Sequence, residues 1–170
     1  TRDADKDAET MMNMANAIAA GVKVGAAEIP QMSEAILQVG AVSKEAGLNI
    51  NELNATLQAM AVGGKYGAEA GTVLRNILTK MQGMAGEEAE ELSKYGLTVK
   101  QLSSTLQGQG IGAALTLLKK SFDSNSNAAE RNASIMKIID KYNGAALMGL
   151  LRNVDTLKMY QTEIDRVVAQ

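Results

Sequence analysis

Apolar residues recur at helical spacing along almost the whole chain, and roughly every 10 to 20 residues a glycine or a helix-capping residue interrupts them. This constrains the fold more than any other property of the sequence. A helix cut so often cannot form a long rod, and its pieces must bury their apolar faces against one another. Strands are disfavoured, because Val, Ile, Thr and aromatic residues do not gather into alternating runs. The expected fold is all-α: a compact bundle of about eight or nine short helices joined by Gly and Asn turns. Residues 1–170 are expected to form a single helical module cut from a longer chain.

The breaks can be placed. A first helix is expected over Asp3 to Val22, with Ala8, Met11, Ala15, Ile18 and Val22 on one stripe, weakened at Gly21 and Gly25. Pro30, the only proline, suits the first turn of a second helix that carries Met32, Ile36, Val39 and Val42 and is capped by Gly47. Asn49 and Glu52 read as the start of a third helix with Leu53, Leu57 and Met60 inward, ended by Gly63 and Gly64. A fourth follows with Ala70, Leu74, Ile77, Leu78 and Met81, closed by Gly83 and Gly86. Glu87 to Tyr95 reads as a short acidic helix ending at Gly96, and Thr98 with Gln101 caps Val99 to Leu106. Ile111, Leu115, Leu118 and Phe122 stripe the next helix. Asn127 and Glu130 cap another, with Ile135, Ile138, Ile139 and Tyr142 inside and a break at Gly144. A short helix to Leu151 and a last one from Asn153, faced by Val154, Leu157, Ile164 and Val168, complete the chain.

Composition narrows the function. There is no His and no Cys, which removes the commonest general base, the commonest metal ligands and thiol chemistry. Net charge is −2, from 17 basic and 19 acidic residues that are well mixed, so no basic run offers a footprint for nucleic acid. The longest apolar run, Gly144 to Leu151, is far below the roughly 20 residues of a transmembrane helix. Thr1 to Thr10 is acidic where a signal peptide would be basic.

Several fragments imitate functional motifs. Gly108, Gly110, Gly112 and Ala113 spell G-x-G-x-x-A, but a dinucleotide loop needs a preceding strand, and a helix–turn–helix hinge explains the glycines. Gly63-Gly64-Lys65-Tyr66 lacks the earlier Gly and the Ser/Thr of a phosphate loop. Asp123, Asn125 and Asn127 resemble the opening of a calcium loop, but Ala128 and Ser134 stand where Gly and Glu are needed. Glu87, Glu88, Glu90 and Glu91 read as a solvated helix face. Gly63, Gly67 and Gly71, four apart, read as a close helix approach or a Gly-rich helix start. No catalytic, cofactor-binding or metal-binding residue is therefore assigned, no cofactor is expected, and the chain reads as a non-enzyme.

Two blocks carry a family resemblance: Ala46-Gly47-Leu48-Asn49-Ile50-Asn51-Glu52-Leu53, and Gly67-Ala-Glu-Ala-Gly71-Thr-Val-Leu74-Arg75-Asn76-Ile77-Leu78. With the later Ile138 to Leu147 and Leu150-Leu151-Arg152-Asn153, they resemble the core region of phage tail tape measure proteins of the TP901 type, over about residues 31–157. Tyr142-Asn143-Gly144 departs from the Phe-Gly usual in the later block. The resemblance implies a virion protein of the tail lumen, made in the bacterial cytoplasm, that acts in tail assembly and tail-length determination. It implies as partners the tail tube protein, tail assembly chaperones and tail-tip or baseplate proteins, and it leaves self-association open. The frequent breaks imply a folded module on the tape, not its measuring length. Three other readings compete. A membrane-interacting or pore-forming helical module would act during DNA delivery. A cell-wall hydrolase would need catalytic groups that are missing, and a generic adaptor bundle would need sustained heptads.

Overall fold

The computed structural model describes residues 2–169. Within them the chain forms ten helices and no strand: α1 (Arg2–Val24), α2 (Ile29–Glu45), α3 (Ile50–Val62), α4 (Gly67–Gln82), α5 (Glu87–Ser93), α6 (Val99–Gln109), α7 (Ile111–Asp123), α8 (Ala128–Ile138), α9 (Lys141–Arg152) and α10 (Val154–Val168). The bundle of short helices is as expected, with ten helices in place of eight or nine. Among the described residues no helix is long and apolar enough to cross a membrane.

Local chemistry sets most of the ends. Asn49, Thr98 and Asn127 each accept a hydrogen bond from the backbone N–H three residues on, and Thr98 with Gln101 completes a capping box. At the end of α2, Gly47 takes φ +83, so that its N–H reaches Lys44 O and the next N–H, from Leu48, reaches Ser43 O. This Schellman turn recurs at Gly64 after α3.

One boundary differs from expectation. Ile139 is extended (φ −136°, ψ 155°) and ends α8, and the Asp140 carboxylate accepts from Asn143 N at 3.0 Å to start α9. Gly144 therefore lies inside α9, buried, and breaks nothing. Tyr142 is exposed and not inside, because the new helix begins one residue before it.

The main core cluster runs from the α1–α2 link to α10, and a smaller one, Ala20, Ala55 and Ile164, joins α1, α3 and α10. The most extensive helix pair is α2 with α4, where Gly71 lets α4 settle onto the Ala35 backbone of α2. Close approach is thus the meaning of the Gly63/Gly67/Gly71 spacing at its last member. At the centre lies α3, buried on every side from Leu53 to Met60. Its expected inner face of Leu53, Leu57 and Met60 is only part of what it buries. Asn54, Thr56 and Gln58 are buried too.

Backbone groups partner these side chains, except that Asn54 Oδ1 accepts no hydrogen bond among the described residues. Asn54 donates to Ala17 O of α1. Gln58 accepts from Ala27 N at 2.7 Å and donates to Ala27 O at 3.2 Å, so its carboxamide pairs with the α1–α2 link as a strand neighbour would. A Cβ at Gly21 or Gly25 would overlap the Asn54 or Gln58 carboxamide respectively. Gly21 is therefore a contact surface and not a weak point, and α1 runs through it. The α1 stripe was also read too broadly. Ala17, Ala20 and Gly21 are buried and Ile18 and Val22 half-buried, but Ala8, Met11 and Ala15 are exposed.

Candidate functional site

The most developed polar assembly lies between α5 and α8, around an open cleft of about 560 Å³ lined by Glu91, Lys94, Tyr95, Ser134 and Lys137 among others. Leu92 is fully buried and fixes the rotation of α5, which turns Glu91 inward beside it. Glu91 was expected on a solvated face and is instead buried. Its Oε2 meets Lys94 Nζ at 2.8 Å, with Lys137 Nζ at 3.9 Å. Its Oε1 accepts from the Ser134 hydroxyl at 2.6 Å, and the Tyr95 hydroxyl donates to Ser134 Oγ at 2.7 Å. The Tyr95 ring stands edge-on to Phe122 at 4.7 Å.

The hydrogen bond from Lys94, helped by that from Ser134, holds the Glu91 carboxyl below its ordinary value. The chain Tyr95–Ser134–Glu91–Lys94 acts as a clamp that docks a seven-residue helix onto α8. Glu91 could have been found by position, since it shares an arc with Leu92 and Tyr95.

The clamp gives a pH prediction. A carboxyl whose folded value is depressed contributes stability above its unfolded value, near 4.5, and loses that contribution as pH falls through the folded value. The stability gap between the native chain and Glu91→Gln should be constant above about pH 5 and narrow as the pH falls further. Thermal melts across that range check this; a gap independent of pH would exclude the ionised clamp.

Glu52 shifts the other way. Burial raises its carboxyl most, the Asn49 backbone N–H works against this, and the Asp165 charge adds to the rise. It packs against the α6–α7 hinge, where a Cβ at Gly110 would lie 2.7 Å from Glu52 Oε1. Gly110 itself takes φ +94 and joins α6 to α7 with no intervening loop. The G-x-G-x-x-A string is thus a helix–helix joint, preceded by a helix, with Gly112 packed on Leu157 and Lys158 of α10.

The Asn125 and Asn127 oxygens are engaged locally. Asn125 Oδ1 accepts from Asn127 N at 2.9 Å, Asn127 Oδ1 accepts from Glu130 N at 3.2 Å, and the Arg131 guanidinium donates to Asn125 O. Among the described residues no group of three or more acidic side chains is arranged to hold a metal. Lys65 pairs with Glu69 at 2.7 Å and lies 4.5 Å over the Tyr142 ring, whose hydroxyl also reaches Glu69. This group ties the start of α9 to the start of α4 at the surface.

Comparison with known proteins follows the fold closely. A family model described as phage-related minor tail protein matches residues 3–140, from α1 to the α8–α9 junction. A protein of Escherichia phage P2 described as a probable tape measure protein is 31% identical over 114 residues. That alignment covers 67% of this chain but only 14% of the P2 protein. No solved structure matches the chain.

Proposed function

We propose, from the premise that this chain belongs to the phage-related minor tail protein family, that it is a folded assembly module of a tail tape measure protein. The match from α1 to α8 carries the reading, and the similarity to the P2 protein supports it at the finer level. The Gly47–Leu53 and Gly67–Leu78 blocks favour the TP901 type. The module works by protein–protein contact within the tail: with tube protein, with chaperones that hold the tape before assembly, and with the tail tip.

Helix length separates two roles within such a protein. A ruler advances about 1.5 Å per residue of continuous helix. The longest helix here has 23 residues, and most of the others fold back on one another. The module therefore contributes a docking body to the tape and little length.

In-frame deletion of residues 1–170 from the parent gene distinguishes the two, with tails examined by electron microscopy. A docking body predicts loss of tails. Tails made at full yield but shorter by about 250 Å would mark the segment as ruler instead. Unchanged tails would remove it from assembly altogether.

A further inference from the structure

The first fourteen described side chains of α1, Asp3 to Asn16, are exposed except for a half-buried Met14. Met11 and Met12 are 71% and 66% exposed. A free helix of this length is marginal in water, so a helical arm without tertiary support is a surface suited to a partner. Its pattern says what kind. Ala4, Ala8, Met11, Ala15, Ile18 and Val22 step by four, three, four, three and four residues, the spacing of a coiled-coil seam. Ile18 and Val22 already pack on the core, and the other four positions are free.

The neighbouring helices show where the seam opens. Asn54 of α3 lies at Ala17 and Gln58 at Ala27, so α3 runs parallel to α1. Asn51 meets Asp165, while Gly63 lies by Asn153, so α10 runs antiparallel to both. Val167 and Val168 of α10 reach Asn16, Ala19 and Ala20, and line with them a cleft of about 340 Å³. Beyond this level the seam has no neighbour among the described residues.

Charge selects the occupant. The positions flanking the seam are Asp5 and Asp7 in the outer turns, and Met12 and Met14 further in. Asp3 and Glu9 add to the acidic end, so four acidic residues stand there against Arg2 and Lys6. Two copies of α1 in parallel and in register would set Asp7 against Met12 across the seam, which offers the aspartate no counter-charge. An antiparallel pair would set those aspartates against methionines, without counter-charge.

We infer that the outer half of α1 is a docking face for a separate amphipathic helix, apolar at its a and d positions and basic where it flanks Asp5 and Asp7. The methionines broaden the seam and let it adapt to differing apolar partners. This face belongs to α1 alone, so its test is independent of the tail reading.

The probe is a pair of synthetic three-heptad peptides with Leu at a and d, one with Lys and one with Glu at the flanking positions. Each is titrated against the complete 170-residue chain, by fluorescence anisotropy for affinity and by backbone amide shifts for location. The Lys peptide should bind with shifts confined to residues 3–24, and the Glu peptide should bind at least about tenfold more weakly. The double variant Asp5→Lys/Asp7→Lys, on a part of the helix that touches nothing else, should reverse that order. Equal binding of both peptides, binding of neither, or sedimentation of the chain alone as a dimer with residues 3–16 protected would each overturn the assignment.

Discussion

Gly71→Val should destabilise the protein by about 3 kcal/mol or more, a large fraction of the total stability of a domain this size. The cause is backbone against backbone. A Cβ at position 71 would overlap the Ala35 carbonyl oxygen of α2 and come within 2.8 Å of Gln38 Cβ. Neither atom can rotate away, so α2 and α4 must separate. That opens the most extensive helix pair in the fold, with Leu74, Ile77 and Leu78 on one side and Met32, Ala35 and Val39 on the other. The intrinsic helix preference favours the replacement by less than about 1 kcal/mol, so the overlap decides the sign. Gly108→Ala is the control: it lies in the last turn of α6, with nothing within 4 Å of a new Cβ, and should be neutral or raise stability by about 0.5 kcal/mol. Urea denaturation measures both. Equal midpoints for the two variants would mean that α2 and α4 do not meet as closely as described.

Gln58→Leu should cost about 2–4 kcal/mol and loosen α1 first, since two buried backbone groups lose their partner at about 1–3 kcal/mol each. Gln58 is fully buried, and its carboxamide serves both the N–H and the C=O of Ala27, itself 3% exposed. Leucine fills much the same space but offers neither donor nor acceptor. The α1–α2 link should then open locally, because the remaining helices pack among themselves. Cleavage after Glu28 by a glutamyl-specific protease should accelerate at denaturant concentrations where the rest of the chain stays folded. A cleavage rate equal to that of the native chain would show that the carboxamide does not hold the link.

These two sites also mark where the sequence was legible. The Asn49, Thr98 and Asn127 starts, the Gly47 and Gly64 ends and the stripes of α4, α7 and α10 could be read because capping and burial act over a few residues. The Gly63, Gly67 and Gly71 spacing reads as a close helix approach or a Gly-rich helix start, because small residues at spacing four permit a contact. Asn54 and Gln58 passed unnoticed, since polar residues on an amphipathic helix normally face water and nothing local says otherwise. The clue was non-local: two carboxamides four apart in α3 meet two glycines four apart, Gly21 in α1 and Gly25 just after it. The α8–α9 boundary was missed for a related reason. Ile138 and Ile139 continue the apolar pattern across the break, and only the Asp140 cap betrays a new start. At the clamp, Glu91 was masked by the acidic run around it, and its partner Ser134 lies 43 residues away.

The central position of α3 has a further consequence, which concerns time. Its apolar residues and its two carboxamides are covered partly by α1, before it, and partly by α10, which ends more than a hundred residues later. A ribosome adding 5–20 residues per second needs roughly 5–20 s to travel from the end of α3 to the end of α10. Throughout that interval one side of α3 stays uncovered, and when the chain is one part of a long polypeptide many copies wait in this state at once. Since α10 completes the burial of α3, a nascent chain that stops short of α10 leaves that side of α3 exposed.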